Sequence, residues 1–259
     1  KVVGRRKTDN SQLRARFAFT LLFIAFLVYV NELIGSESVT VVPRELCYVD
    51  ATFDWFDSWN TYSLENLWLR DLFFIFDDWC FDATILSLLY LFYADAFHSC
   101  AFFVSIGLNT ATKTFIQDNL LTLAKPVGHN FYFPGLYSFL VPFHDMQDFY
   151  YSGHTSTTLC FSYAALMLSH QLPNSKFAKA AFYIILFVRI PYIWLIMTIT
   201  HTHFLIDYTS GVAAGTLFLI LGEKVSYILD VQVRGLRGTD RVLFFHRACP
   251  RCGWTNWNP

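Results

Sequence analysis

Residues 17–34 read FAFTLLFIAFLVYVNELI, an apolar run interrupted only by Asn31 and Glu32 near its end. A bilayer core requires roughly 20 apolar residues in helical form, because unpaired backbone groups find no water there. The run directly follows the basic residues Lys1, Arg5, Arg6, Lys7, Arg14 and Arg16. It is longer than the apolar core of a cleaved signal peptide, so a retained first span is expected. Composition extends this reading to the whole chain: 54% of the 259 residues are hydrophobic, 19% aromatic and 15% charged. Soluble domains carry about 25% charged residues. A net charge of −1 gives no sign of a nucleic-acid partner.

Further apolar stretches follow. The stretch from about Ala83 to Leu123 is too long for one span, and Asp95 and His98 sit in its middle. A tight turn there predicts spans over 79–96 and 99–124. Three more are expected over 153–171, 177–199 and 203–222, with Pro191 kinking the fifth. The fold class is therefore all-α, a six-transmembrane-helix bundle with the first span over 17–35. Basic loops stay on the inner side of a membrane. With six spans, the residues before the first, Lys176 and Lys179 between the fourth and fifth, and Lys224, Arg234, Arg237, Arg241, Arg247 and Arg251 after the sixth all share that side. These are most of the 19 basic residues, and both termini lie inside. The domain plan is a basic inner segment over 1–16, a membrane domain over 17–222 and an inner tail over 223–259.

Outside lie two larger segments. Residues 36–78 carry Glu37, Glu45, Asp50, Asp54, Asp57, Glu65, Asp71, Asp77 and Asp78 against Arg44 and Arg70, with Trp55, Trp59 and Trp68. They read as an amphipathic stretch along the interface. Residues 125–152, with Pro126, Gly128, Pro134, Gly135 and Pro142, read as an ordered outer loop.

Two motifs fall on this outer face. Ser152-Gly153-His154-Thr155 opens the fourth span, and His203-Phe204-Leu205-Ile206-Asp207 opens the sixth. Residues four apart on a helix share a face, so Asp207 can hydrogen-bond His203. A carboxylate on one imidazole nitrogen fixes the tautomer and stabilises the cation. With His154 across the bundle, two imidazoles and a carboxylate can divide a phosphoryl transfer, one attacking phosphorus and the other protonating the leaving oxygen. Histidines at helix ends are commonly just satisfied polar residues, but two motifs on one face of an independently assigned topology favour a site.

Asp148-Phe149-Tyr150-Tyr151-Ser152-Gly153-His154-Thr155, followed by His203-x-x-x-Asp207, resembles the sphingomyelin synthase branch of the lipid phosphate phosphatase superfamily. Plant phosphatidylcholine:diacylglycerol cholinephosphotransferases belong to the same group. The resemblance is clear over 145–225, weaker over 99–144 and limited to layout before that. It implies six spans with cytosolic termini, His203 as nucleophile of a phospho-histidine intermediate, Asp207 orienting it, and His154 as acid and then base. A phosphocholine-like headgroup would pass from a phospholipid to a diacylglycerol or ceramide hydroxyl, with no metal or other cofactor. Secretory-pathway membranes are suggested, and an organelle inner membrane stays open.

The departures are informative. Asp118 stands where the wider superfamily has its first-motif Lys, Tyr151 where the phosphatases have Pro, and Met197 where an Arg precedes the nucleophilic His. Those cations bind a dianionic phosphomonoester, so their absence favours transfer of a monoanionic phosphodiester group over plain phosphatase action. Lys113, Lys125 and His201 are the nearest replacements, although Lys113 could instead pair with Asp118. Ser152, Gly153, Asp148, Tyr151 and Lys113 are the expected substrate-binding residues, with Tyr150 as a further aromatic face for a choline-like cation. The rival reading is a catalytically silent homologue, serving as a structural subunit of a larger membrane complex or as a homo-oligomer. Cys249 and Cys252, with His246, fall one ligand short of a closed zinc site, and a Cys47–Cys80 disulfide is not favoured.

Overall fold

The structure, a computed structural model, describes residues 10–35, 49–120, 123–141, 150–172 and 174–236 with Arg241 and Phe245, excepting the side chains of 31–35, 118 and 119. The expected roles of Asp148, Cys47, His246, Cys249 and Cys252, and the Lys113–Asp118 pair, lie outside the described residues. Among those described the fold is all helical. In chain order it comprises α1 (Asn10–Gly35), α2 (Asp57–Glu65), α3 (Leu67–Tyr93), α4 (Ala101–Asn119), α5 (Gly153–Gln171), α6 (Lys176–Ile184), α7 (Ile190–Ile199) and α8 (Leu205–Tyr227). A π turn over Ile185–Arg189 joins α6 to α7, and another over Ile228–Val233 extends α8.

Three of these helical stretches, Asn10–Val30, Lys176–Ile199 and Leu205–Val233, are long and apolar enough to cross a membrane, which marks the chain as a membrane protein. The other long helices are more polar. α3 buries Arg70, Asp77 and Asp78, α4 buries Asn109 and Lys113, and α5 buries Thr155, Ser156, Thr158 and Ser162.

The breaks between helices follow local chemistry. α3 ends at Tyr93, where Asp95 adopts φ 65°, and the expected turn before α4 is there. Ser175 caps α6 by accepting the Ala178 N–H at 3.2 Å. The kink expected at Pro191 takes the form of the π turn immediately before it: proline lacks a donor, and the slipped hydrogen-bond register accommodates that loss. One boundary differs more. The second long helix begins at Leu67 rather than near residue 79, so Asp77 and Asp78 belong to its interior and not to an outer acidic stretch.

α8 forms the spine, packed against α4 and α5, while α1 lies against α3 and α4. The α5–α8 seam is close because α8 offers glycine there. A Cβ on Gly211 would stand 2.9 Å from the Ser152 carbonyl oxygen, and one on Gly215 would stand 3.1 Å from Ser156 Cα. Small residues four apart let two backbones approach in this way. At the other end of the bundle Phe19, Phe23, Phe92, Phe97, Phe102 and Phe103 interlock, with ring centroids between 4.8 and 6.3 Å apart.

Candidate active site

α5 and α8 begin at the same end of the bundle, and their first turns meet. The Ser152 N–H donates to the Asp207 carbonyl at 2.9 Å, stitching the start of α5 to the first turn of α8. The Ser152 hydroxyl caps α5 by accepting the Thr155 N–H at 3.3 Å. On α8, Asp207 Oδ2 accepts the Phe204 N–H at 3.0 Å, as an acid at the third helical position does when it reaches back to the cap. The same oxygen lies 3.3 Å from His203 Nδ1. Asp207 is fully buried and His203 is nearly so. A proton on Nδ1 therefore faces a carboxylate, which leaves the lone pair on Nε2.

His154 projects from the first turn of α5. Its ring centroid stands 6.3 Å from that of His203, and the ring planes are inclined by 64°. The edge of His154 meets the Phe81 ring at 5.4 Å. Its Nε2 lies 3.9 Å from Asp78 Oδ1 on α3, so each histidine has its own carboxylate. Asp77, the neighbour of Asp78, pairs with Arg189 Nη2 at 3.1 Å, and the same guanidinium donates to the Asp77 carbonyl at 2.9 Å. Arg189 also lies over the Phe81 ring, 4.4 Å from its centroid. Asp77, Asp78 and His154 offer three ligand atoms within 4.8 Å of one another. Arg189 already neutralises Asp77, so the group is better suited to orienting His154 than to holding a cation.

Both histidines line one cavity of about 150 Å³. Asp77, Asn109, Thr110, Lys113, His129, Thr157 and Thr202 are its other polar lining residues, and most of the remaining lining is apolar, with Leu27, Val30, Ile85 and Ile106 among it. Lys113, on α4, is buried, and its ammonium rests against Gly153: a Cβ there would stand 2.9 Å from Nζ. Glycine at 153 is thus what lets a lysine reach the amino end of α5, an end already favourable to anions.

Of the residues expected at the site, His154, His203, Asp207, Gly153 and Lys113 converge here. Ser152 and Tyr151 serve the scaffold instead. The Tyr151 hydroxyl donates to the Asn109 carbonyl at 2.9 Å, and neither residue lines the cavity. Burial raises the Tyr151 phenol well above its ordinary range. Tyr150 is partly buried and does not line the cavity either. His201 is engaged elsewhere: its Nδ1 meets the Val127 carbonyl at 2.7 Å and its ring stacks on Phe53. Lys125 stands outside the cavity lining, its ammonium lowered by desolvation.

Sequence reasoning missed Asp78, Arg189 and Asn109. The signal for Asp78 was present, since Asp77 and Asp78 interrupt a strongly apolar segment and such acids are costly within a membrane unless paired. No protein-family model, no curated protein and no solved structure matches the chain.

Proposed function

We propose that this protein moves a phospho-headgroup from one membrane lipid to the hydroxyl of another through a phospho-histidine intermediate, in the manner of the sphingomyelin synthases. One observation carries the proposal. Two carboxylate-backed imidazoles, one on α5 and one on the turn before α8, line a single cavity with their ring centroids 6.3 Å apart.

Each chemical step balances. His203 Nε2 attacks phosphorus, the bond from phosphorus to the donor lipid's oxygen breaks, and His154 in its protonated form gives that oxygen its proton. The acceptor hydroxyl then loses its proton to His154 and attacks phosphorus, and the P–N bond to His203 breaks. Asp207 stabilises the His203 ring as positive charge develops, and Asp78 does the same for His154.

The charge of the cavity favours a diester over a monoester. Lys113 is the sole Lys or Arg among the described residues lining it, since Arg189 is committed to Asp77. One ammonium and a helix terminus suit the single negative charge of a phosphodiester. A lining that combines these polar groups with many apolar side chains suits a lipid.

A six-span arrangement accompanies this reading. The 19 residues of α4 and of α5, at about 1.5 Å rise each, approach the ~30 Å thickness of the hydrocarbon layer. The polar side chains of α3, α4 and α5 point into the bundle, where other spans cover them.

The test uses purified protein in vesicles containing a phospholipid labelled in its headgroup phosphate, with diacylglycerol or ceramide as acceptor. The expected result is an acid-labile labelled protein and transfer of label to the acceptor, both abolished in His203→Ala. Unlabelled protein and no product, from a chain with full helical content, would overturn the transferase in favour of a structural subunit. Label released only as the water-soluble phosphorylated headgroup would replace it with a hydrolase, and release of free phosphate from a labelled phosphomonoester lipid, with no transfer from the diester, would replace it with a phosphatase.

A further inference from the structure

His203 sits on the short turn between α7 and α8, and that turn is shaped from outside the bundle. His201, two residues earlier, adopts φ 49°, a left-handed conformation that costs a non-glycine residue energy and persists only where its surroundings enforce it. The enforcing contacts come from two outer segments. Asn60, on α2 and buried, donates from Nδ2 to the Ile199 carbonyl at 2.8 Å and to the Gly128 carbonyl at 3.1 Å. The Asn130 N–H donates to the Thr200 carbonyl at 2.9 Å. The His129 Nδ1 meets the His201 carbonyl at 3.1 Å. Beyond the nucleophile, Asp50 Oδ2 accepts the Leu205 N–H at 2.5 Å.

Asn60 makes two of these contacts and is linked to a third residue of the set, Asn130, through Ser63. Its own carbonyl accepts the Ser63 hydroxyl at 2.8 Å, that hydroxyl accepts the Asn130 side-chain amide at 3.2 Å, and Asn130 Oδ1 accepts Arg70 Nη1 at 3.2 Å. Gly128 makes room for it: with φ 77°, a Cβ there would fall 2.8 Å from Asn60 Oδ1 and 2.9 Å from His201 Nδ1. Asn60 does not line the cavity, so it acts on substrate only through the turn.

We propose that Asn60 is a positioning residue for His203, and that α2 serves as an external brace which sets the reach of the nucleophile. The inference rests on the transferase reading above. One amide holds two carbonyls from different segments at once. Losing its donors detaches α2 from both the 127–130 loop and the 199–205 turn, which are then held only by their direct contacts with each other, and His203 lies within the released turn. The opposite face of α2 shows the aromatic side chains of Trp59 and Tyr62 to the surroundings, so the brace is tied to the position of the interfacial segment as a whole.

Asn60→Asp tests this, because it keeps the shape of the side chain while removing both donors. Phosphorylation of His203 is followed in vesicles with the labelled donor lipid, and rates are expressed per folded molecule. The expected result is a fall of at least about ten-fold in kcat with the KM for donor unchanged, a matching fall in Asn60→Ala, and partial recovery in Asn60→Ser, which retains one donor. Wild-type kcat in Asn60→Asp would overturn the inference and leave the transferase standing. So would a loss carried by KM, or one explained wholly by a smaller folded fraction in all three variants. Absence of labelled His203 in the wild type would overturn both readings together.

Discussion

At His203 the decisive feature is a carboxylate that does two jobs with one oxygen. Asp207 Oδ2 accepts the Phe204 N–H and faces His203 Nδ1, so the acid that starts α8 also fixes the tautomer of the ring. Asp207→Asn can hold the same geometry with the wrong proton arrangement. Its turnover is expected to fall by about 10³–10⁴-fold, measured as headgroup transfer per folded molecule. Asp78 stands farther from its histidine, at 3.9 Å, and in the proposed mechanism it supports acid–base transfer rather than bond formation. Asp78→Asn is therefore expected to lose less, roughly 10–10²-fold, at or below the lower end of the 10²–10⁴-fold that a general acid supplies, because His154 itself remains. An equal loss in both variants would mean that the two carboxylates are not acting in these separate roles. Gly153→Ala probes the anion side of the cavity. The new methyl group meets Lys113 Nζ, the far end of a flexible chain, so the fold survives and the ammonium moves. A several-fold rise in the KM of the phospholipid donor is expected, with kcat changed less.

At the scale of elements, the site depends on how closely the starts of α5 and α8 approach, since His154 lies on the first turn of α5 and His203 just before α8. Gly211 faces the Ser152 carbonyl, backbone that cannot give way as a side-chain tip can. Gly211→Leu should force the two helix starts apart and separate the imidazoles. The expected signature is loss of transfer beyond about 10²-fold while circular dichroism retains its helical content; retained activity would show that the seam tolerates the wider spacing. This seam was legible in the sequence only in part. The two motifs could be placed on one face because their spacing from the span boundaries, and the positions of Lys and Arg, are local facts. The partner of Asp77 was not legible. Arg189 lies 112 positions away, inside a span, and nothing along the chain links it to an acid that linear charge counting assigned to the outer stretch. The same blindness moved the start of α3 from Leu67 to residue 79. An acid pair in an apolar run looks like a boundary until the Arg189 guanidinium and the His154 imidazole are seen beside it. Asn60 was hidden for a related reason, since its two acceptors are backbone carbonyls, which carry no mark in a sequence.

For the whole molecule the question is how many helices cross the bilayer. Length and hydropathy alone select α1, the α6–α7 pair and α8. The polar interior of α3, α4 and α5 explains why they fall below such a measure. Lys113, Asp77, Asp78 and several serines and threonines of α5 are buried, and a bundle shields them as a lone helix could not. The two arrangements differ at one pair of exposed positions. Trp55 follows α1 and precedes α3, whereas Asn174 lies in the turn between α5 and α6. If α1 alone crosses before residue 174, both positions share a side of the membrane. If α3, α4 and α5 cross as well, the three added passages put Asn174 opposite Trp55, on the side of the residues preceding α1. In sealed vesicles of a variant lacking the native cysteines, Trp55→Cys and Asn174→Cys can each be exposed to a thiol reagent that does not permeate lipid. Six spans require one of the two to label before the vesicles are opened and the other only afterwards. Labelling of both from the same side would rule out six spans, and in the three-span arrangement it would leave α3, α4 and α5 outside the hydrocarbon. His154 would then lie in water rather than beneath a lipid interface, and a membrane lipid would have no route to the cavity that it shares with His203.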